Sequence, residues 1–292
     1  MRWKWATVRV PRWHETCGRE ENESGGMTDR LHITVGGEGP PLVLIHGWAM
    51  HGGVFATLID RLRDRRTLYC VDLPGHGLSR DDATPLAFDA VCDAIQSQVP
   101  TAPWLGWSLG GMFALHAAVR DPERVPALIA MCSSPCFVRG PDWRYGVSAE
   151  IFRDFAQGLS DDYRATLDRF VALEAFGSDH AKEEMRELRA ELFARGEPAA
   201  RVLVDGLRIL ETADQRPLLS GLRVPSLWIA GRRDRLVDPR AMREAVEAIE
   251  RHGRAQATFA QIEHAGHAPF LTHADDVVEH ASAFLDETAQ AA

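Results

Sequence analysis

Apolar positions along this chain follow two patterns, and the two alternate. Leu42-Val43-Leu44-Ile45, Thr67-Leu68-Tyr69-Cys70-Val71, Pro103-Trp104-Leu105, Ala127-Leu128-Ile129-Ala130-Met131 and Pro225-Ser226-Leu227-Trp228-Ile229-Ala230 are short continuous runs. They lack the polar alternation of a half-solvated strand and predict strands covered on both faces. Leu31-His32-Ile33-Thr34-Val35 alternates instead, as an edge strand does, before the turn Gly36-Gly37-Glu38-Gly39-Pro40. Ala257-Thr258-Phe259-Ala260-Gln261-Ile262 closes the series. Helical stretches fill the intervals, at about 54–63, 86–99, 112–119, 239–251 and 274–286. Strand then helix, repeated, predicts an α/β fold with a mostly parallel central sheet, helices on both faces and right-handed crossovers.

The alternation breaks once. Between residues 137 and 222 the strand-like runs vanish, and helical segments replace them at about 148–157, 161–175, 178–194 and 198–211, with a short one near Leu218. Phe155 and Leu159, then Leu167, Phe170, Val171 and Phe176, form stripes of helical period. The expected organisation is a core in two parts, 29–136 and 223–292, with an all-helical insertion at 137–222 after the sixth strand, covering the sheet edge as a lid. Residues 1–28 read differently: Trp3, Trp5 and Trp13 mixed with Arg2, Lys4, Arg9 and Arg12, then Glu20-Glu21-Asn22-Glu23. With no apolar core of a secretory signal, this tract is expected to be a disordered extension, or to precede a true start at Met27.

Composition narrows the function. The 292 residues are 45% hydrophobic and 26% charged, as in an ordinary globular chain. A formal net charge of -9 argues against nucleic acid and anionic membrane as partners, and no apolar run is long enough to span a bilayer. The five cysteines, Cys17, Cys70, Cys92, Cys132 and Cys136, are odd in number and sit mostly in apolar contexts, as reduced core residues of a cytoplasmic protein do. Cys132 and Cys136 have no second pair with ligand spacing, so neither a metal nor another cofactor is expected.

Chemistry is expected where buried strands end, because open parallel sheets bind ligands outside their carboxyl edges. Gly106-Trp107-Ser108-Leu109-Gly110-Gly111 lies between a strand and a buried helix. It has the form of a nucleophile elbow, a turn so tight that side chains at Gly106 and Gly110 would collide. Serine is a poor nucleophile alone and needs an adjacent base oriented by a carboxylate. Candidates for the base are His264 and His267; the Gly266-His267-Ala268-Pro269-Phe270 turn before a helix favours His267. Candidates for the carboxylate are Asp234 and Asp238; Asp238 is the natural cap of the helix starting at Pro239, which leaves Asp234. An oxyanion needs two backbone N–H donors, and Leu109 after the serine and Trp48 in His46-Gly47-Trp48, in the loop after the third strand, are expected to supply them.

Ile45-His46-Gly47-Trp48, Asp72-Leu73-Pro74-Gly75-His76-Gly77, the elbow and the Gly266–Phe270 turn together resemble the α/β-hydrolase superfamily. More narrowly, they resemble its carboxylesterases that demethylate pimeloyl-acyl-carrier-protein methyl ester in biotin synthesis. The resemblance covers roughly residues 31–285. It implies a Ser108, Asp234, His267 triad, an acyl-enzyme, release of methanol, and no cofactor or metal. Arg169-Phe170-Val171-Ala172-Leu173-Glu174 is similar to that family's acyl-contact stretch, with Glu174 standing where the family has Gln. Phe170, Val171, Ala172, Leu173 and Glu174 are therefore expected to touch substrate, with Trp48, Ser108, Leu109 and His267. Because a carrier protein is acidic, Lys182, Arg186 and Arg189, within roughly 60° on a helical wheel, are expected to help dock it, extended by Arg164 and Arg169. The acidic residues of that helix, Glu183, Glu184, Glu187 and Glu191, are expected on another side, with Met185, Leu188 and Leu192 as the apolar stripe between the two. A cytoplasmic monomer acting on a small or carrier-linked ester is the resulting expectation. The rivals are a broad carboxylesterase without carrier specificity and a hydrolase-fold protein that binds ligand without turning it over.

Overall fold

The computed structural model describes residues 30–291, so the expectation for the N-terminal tract, Cys17 included, lies outside the described residues. Seven strands form one sheet: β1 (Ile33–Gly37), β2 (Pro41–Ile45), β3 (Thr67–Val71), β4 (Trp104–Trp107), β5 (Leu128–Met131), β6 (Ser226–Gly231) and β7 (Ala257–Ile262). Their order is β1-β3-β2-β4-β5-β6-β7. Only the edge pair β1–β3 is antiparallel; the rest of the ladder is parallel. β4, β5 and β6 are buried at every position, which is why their sequences carry no polar alternation.

The helices of the sheet layers are α1 (Ala56–Leu62), α2 (Phe88–Gln96), α3 (Leu109–Arg120), α8 (Pro239–His252), α9 (Pro269–Thr272) and α10 (Ala274–Ala291). α1 packs with α10 and α2 with α3, while α3 covers β4 and β5, and α8 covers β6 and β7. α8 carries a full set of end signals: Asp238 accepts from the Arg240 amide at 2.9 Å, Pro239 opens the first turn, and Gly253 closes the helix at φ 62°.

Between β5 and β6 stand α4 (Ala149–Asp161), α5 (Tyr163–Ala175), α6 (Ala181–Leu192) and α7 (Ala200–Thr212), the four long helices expected, followed by a short 3₁₀ turn at Arg216–Gly221. This insertion follows the fifth described strand, not the sixth. The expectation assumed one more strand ahead of Leu42, and the described chain supplies a single antiparallel one there. The stretch at 54–63 divides into a 3₁₀ turn, Gly52–Phe55, and α1. The last helix runs on to Ala291 because nothing after Asp286 breaks it.

Candidate active site

The turn from β4 into α3 holds Ser108 at φ 54° and ψ -120°, a conformation costly for any residue with a side chain. The glycines around it have no room for more atoms. A Cβ on Gly106 would lie 2.2 Å from the Gly110 carbonyl oxygen, and one on Gly110 would lie 2.2 Å from that of Ile45. Ser133 Oγ donates to the Ser108 carbonyl at 2.7 Å and ties the elbow to the loop after β5. Ser108 is the residue before the first turn of α3, so the Leu109 amide has no acceptor within its own helix and is free to bind an anion.

Three loops at the same sheet edge meet here. Ser108 Oγ lies 2.9 Å from His267 Nε2, and His267 Nδ1 lies 2.7 Å from Asp234 Oδ2. The other Asp234 oxygen accepts from the Leu236 and Val237 amides at 2.8 and 2.9 Å, so the carboxylate is fixed by the backbone on one side and faces the imidazole on the other. Trp107 Nε1 donates to the His267 carbonyl at 2.8 Å, holding the loop that carries the ring. Cys132, at φ 44°, packs beneath the pair; burial, then the charge of Asp234, pushes its thiol well above the ordinary range. The two competitors stand elsewhere. His264 is exposed and pairs with Asp179 at 2.8 Å, and Asp238 caps α8.

The insertion closes over this edge: Ser108 is 1% exposed and His267 is fully buried. Trp48, in the loop after β2, sets its ring 4.4 Å from that of Phe170 of α5, tilted by 59°, and donates from Nε1 to the Leu203 carbonyl of α7 at 2.9 Å. Phe170 and Val171 are buried and Leu173 half-buried. Ala172 is exposed, contrary to expectation: four consecutive helical residues span more than one face, and Ala172 falls on the outer one. Glu174, one turn on from Phe170, is buried with neither oxygen hydrogen-bonded among the described residues. Burial, then the charge of Asp234, holds its carboxyl well above the usual carboxylate range. A groove of about 750 Å³ lined by Arg144, Tyr145, Arg240 and Glu244 lies away from these residues and belongs to α8.

Two polar ties that the pattern did not single out join the insertion to the core, one through the buried Glu184 and one through Arg195. Glu184 of α6, grouped by the helical wheel with the acidic residues away from the cations, is fully buried. Its Oε1 accepts from Ser178 Oγ and from Thr272 Oγ1 of α9, each at 2.7 Å. A Cβ on Gly266 would stand 3.4 Å from its Oε2. Beyond the other end of α6, Arg195 Nη1 reaches the Asp72 carboxylate at 3.0 Å, and His51 Nε2 donates to the Glu191 carbonyl at 2.7 Å. Asp72 also accepts from the Gly52 and Leu78 amides. The cations expected to help dock a carrier lie on the surface, most of them already engaged: Arg189 with Asp168, Arg186 with Glu183 and Glu187, and Arg164 with Glu197. Arg169 lies over the Phe155 ring, and Lys182 makes no ion pair among the described residues.

The comparisons with known proteins agree with this architecture. A family model described as the alpha/beta hydrolase fold matches residues 40–274. The chain is 55% identical over 249 residues to the pimeloyl-[acyl-carrier protein] methyl ester esterase of Xanthomonas campestris pv. campestris, covering 85% of this chain and 96% of the relative. It is 54% identical over 247 residues to the same-named protein of Stenotrophomonas maltophilia, covering 85% and 93%. Among solved structures, an esterase from Exiguobacterium antarcticum aligns with a TM-score of 0.75 at 21% identity, covering 89% of this chain and 97% of the other. At that identity the likeness speaks for the fold alone. This chain belongs to the α/β-hydrolase family, and within it is similar to the pimeloyl-[acyl-carrier protein] methyl ester esterases.

Proposed function

We propose that this protein is a serine carboxylesterase that hydrolyses the methyl ester of pimeloyl-[acyl-carrier protein], freeing the terminal carboxylate and releasing methanol, as a step of biotin synthesis. The observation that carries the chemistry is the unbroken hydrogen-bonded run from Ser108 through His267 to Asp234, at 2.9 and 2.7 Å. The choice of ester rests on what the relatives at 53–55% identity are named for.

In this reading His267 Nε2 takes the Ser108 proton as Oγ attacks the ester carbonyl, and Asp234 keeps the ring proton on Nδ1 and stabilises the imidazolium. The amides of Trp48 and Leu109 hold the oxyanion. His267 then gives its proton to the departing methoxide, and methanol leaves. Water enters, loses a proton to His267 and attacks the acyl carbon, and His267 returns that proton to Ser108 Oγ as the acid departs. The apolar acyl chain runs along Phe170, Val171 and Leu173 toward Glu174. The surface cations, with Lys182 foremost, hold the acidic carrier; exposed ion pairs are worth at most about 1 kcal/mol and exchange partners readily. We place the enzyme in the cytoplasm as a monomer. No helix among the described residues is long and apolar enough to cross a membrane, and the four described cysteines are free and buried.

A fluorophosphonate should label the wild-type protein at Ser108 and leave Ser108→Ala unlabelled; equal labelling of both removes the mechanism. Charge reversals at Lys182, Arg186 and Arg189 should slow hydrolysis of the carrier-linked ester and spare the free methyl ester. Equal loss on both substrates removes carrier docking and favours a broad esterase. Rescue of a biotin auxotroph that lacks its own methyl esterase tests the physiological assignment.

A further inference from the structure

The loop after β2 runs His46-Gly47-Trp48, and its first residue has no part in the mechanism above. His46 is fully buried. The Leu73 backbone N–H donates to its Nε2 at 3.0 Å. A backbone amide only donates, so Nε2 carries no proton, and the ring proton of the neutral imidazole sits on Nδ1. That Nδ1–H donates in turn to the Gly47 carbonyl oxygen at 2.7 Å, and the Met50 amide donates to the same oxygen at 3.3 Å.

The Gly47 oxygen and the Trp48 N–H belong to one peptide unit. No cis bond occurs among the described residues, so the two groups point to opposite sides of that unit. Two donors on the oxygen therefore fix the direction of the N–H. The unit also lies over the nucleophile, since a Cβ on Gly47 would stand 3.2 Å from Ser108 Cβ.

We propose that His46 is a positioning residue for the oxyanion hole: with its tautomer locked by the Leu73 amide, its Nδ1–H clamps the Gly47–Trp48 peptide so that the Trp48 N–H is aimed before substrate arrives. The proposal rests on the esterase reading, in which that amide holds the oxyanion. Hydrogen bonds in series polarise one another, so the clamp also makes the Trp48 N–H a better donor. A rigid donor costs no reorganisation when the tetrahedral intermediate forms, which is where such a hole gains its effect.

The surroundings keep the ring in the state the clamp needs. Burial and the His76 ring, with centroids 5.2 Å apart, hold His46 well below the ordinary histidine range; His51 and Arg195 act in the same direction, and only the bond to Gly47 opposes them. A proton on Nε2 would set a donor against the Leu73 donor.

Two substitutions separate the two bonds. An asparagine carboxamide extends to where Nδ1 sits and can still donate to the Gly47 oxygen. A glutamine extends to where Nε2 sits and keeps only the acceptor for Leu73. His46→Asn should retain kcat within about 10-fold of wild type, while His46→Gln should lose about 100-fold, with KM for a free methyl ester unchanged in both. A trifluoromethyl ketone of matching chain length, which forms a tetrahedral oxyanion on the serine, should lose affinity for each variant by the same factor as kcat/KM. Equal losses in the two variants, losses that appear in KM, or losses that follow the thermal midpoint overturn the proposal. Should a variant fail to fold, nitrogen NMR of the wild-type imidazoles decides. His46 should be an Nδ1–H tautomer that does not titrate between about pH 5 and 8, and an Nε2–H or titrating ring overturns the clamp. Failure of the esterase reading shows separately, as a wild-type protein that neither hydrolyses ester nor takes up the ketone.

Discussion

Glu174 gives this protein a pH-dependent stability whose sign follows from its surroundings. Its carboxyl is 1% exposed, has no hydrogen-bond partner among the described residues and feels the Asp234 charge. The folded protein therefore holds a proton that the unfolded chain releases near its ordinary value of 4.5. With the folded value raised, ionisation costs nothing below the unfolded value. As pH rises above it, stability falls by about 1.4 kcal/mol per pH unit, until the folded carboxyl itself ionises. Glu174→Gln keeps the shape and removes the titration. The stability of the variant minus that of wild type should then climb by about 1.4 kcal/mol per unit from about pH 5 toward neutrality. Glu184, whose carboxyl is also raised by burial, is present in both proteins and cancels. Urea denaturation at a series of pH values and constant ionic strength measures the difference, read where m is unchanged. Parallel stability curves for the two proteins would refute the reasoning, since they would mean that Glu174 is already solvated or charged in the folded state.

Asp234→Asn should lower kcat about 10⁴-fold with little change in KM, because the amide selects the wrong imidazole tautomer; steady-state kinetics reporting less than a tenfold loss would contradict the role given to that carboxylate. Gly110→Ala puts a Cβ 2.2 Å from the Ile45 carbonyl oxygen and should cost at least about 2 kcal/mol, so a wild-type midpoint in calorimetry contradicts the elbow geometry. Arg195→Met leaves the Asp72 charge buried with amide donors alone. Since Arg195 is itself 22% exposed, a loss of about 2 kcal/mol is expected, with Asp72→Asn in the same chain restoring part of it. Thr272→Val removes one of two donors to Glu184 and should cost about 1–2 kcal/mol in urea denaturation.

What the sequence made legible was whatever local composition dictates. β4, β5 and β6 are buried on both faces and so read as unbroken apolar runs, and the elbow read directly because only glycine fits beside Ser108. His267 was read from its Gly-His-Ala-Pro-Phe turn before a helix, and Asp234 by elimination, since Asp238 had a simpler task and is indeed the α8 cap. Where the reading failed, the deciding contact came from a distant segment. Glu184 stands among three other glutamates on a charged helix, and nothing local marks it as the one that faces Thr272, 88 residues away. Arg195 meets Asp72 across 123 residues. Ala172 was grouped with its neighbours because a resemblance is read along the chain, whereas contact with the site follows the helix face.

Because α6 is bonded to the core near both ends, through Glu184 to Thr272 and through Glu191 and Arg195 to His51 and Asp72, it behaves as a crossbar rather than as a hinged door. Lifting it would strand two buried charges at once. The neighbouring hairpin of α4 and α5 meets the core differently, setting the ring of Phe170 against Trp48 in an apolar contact where those of α6 are polar.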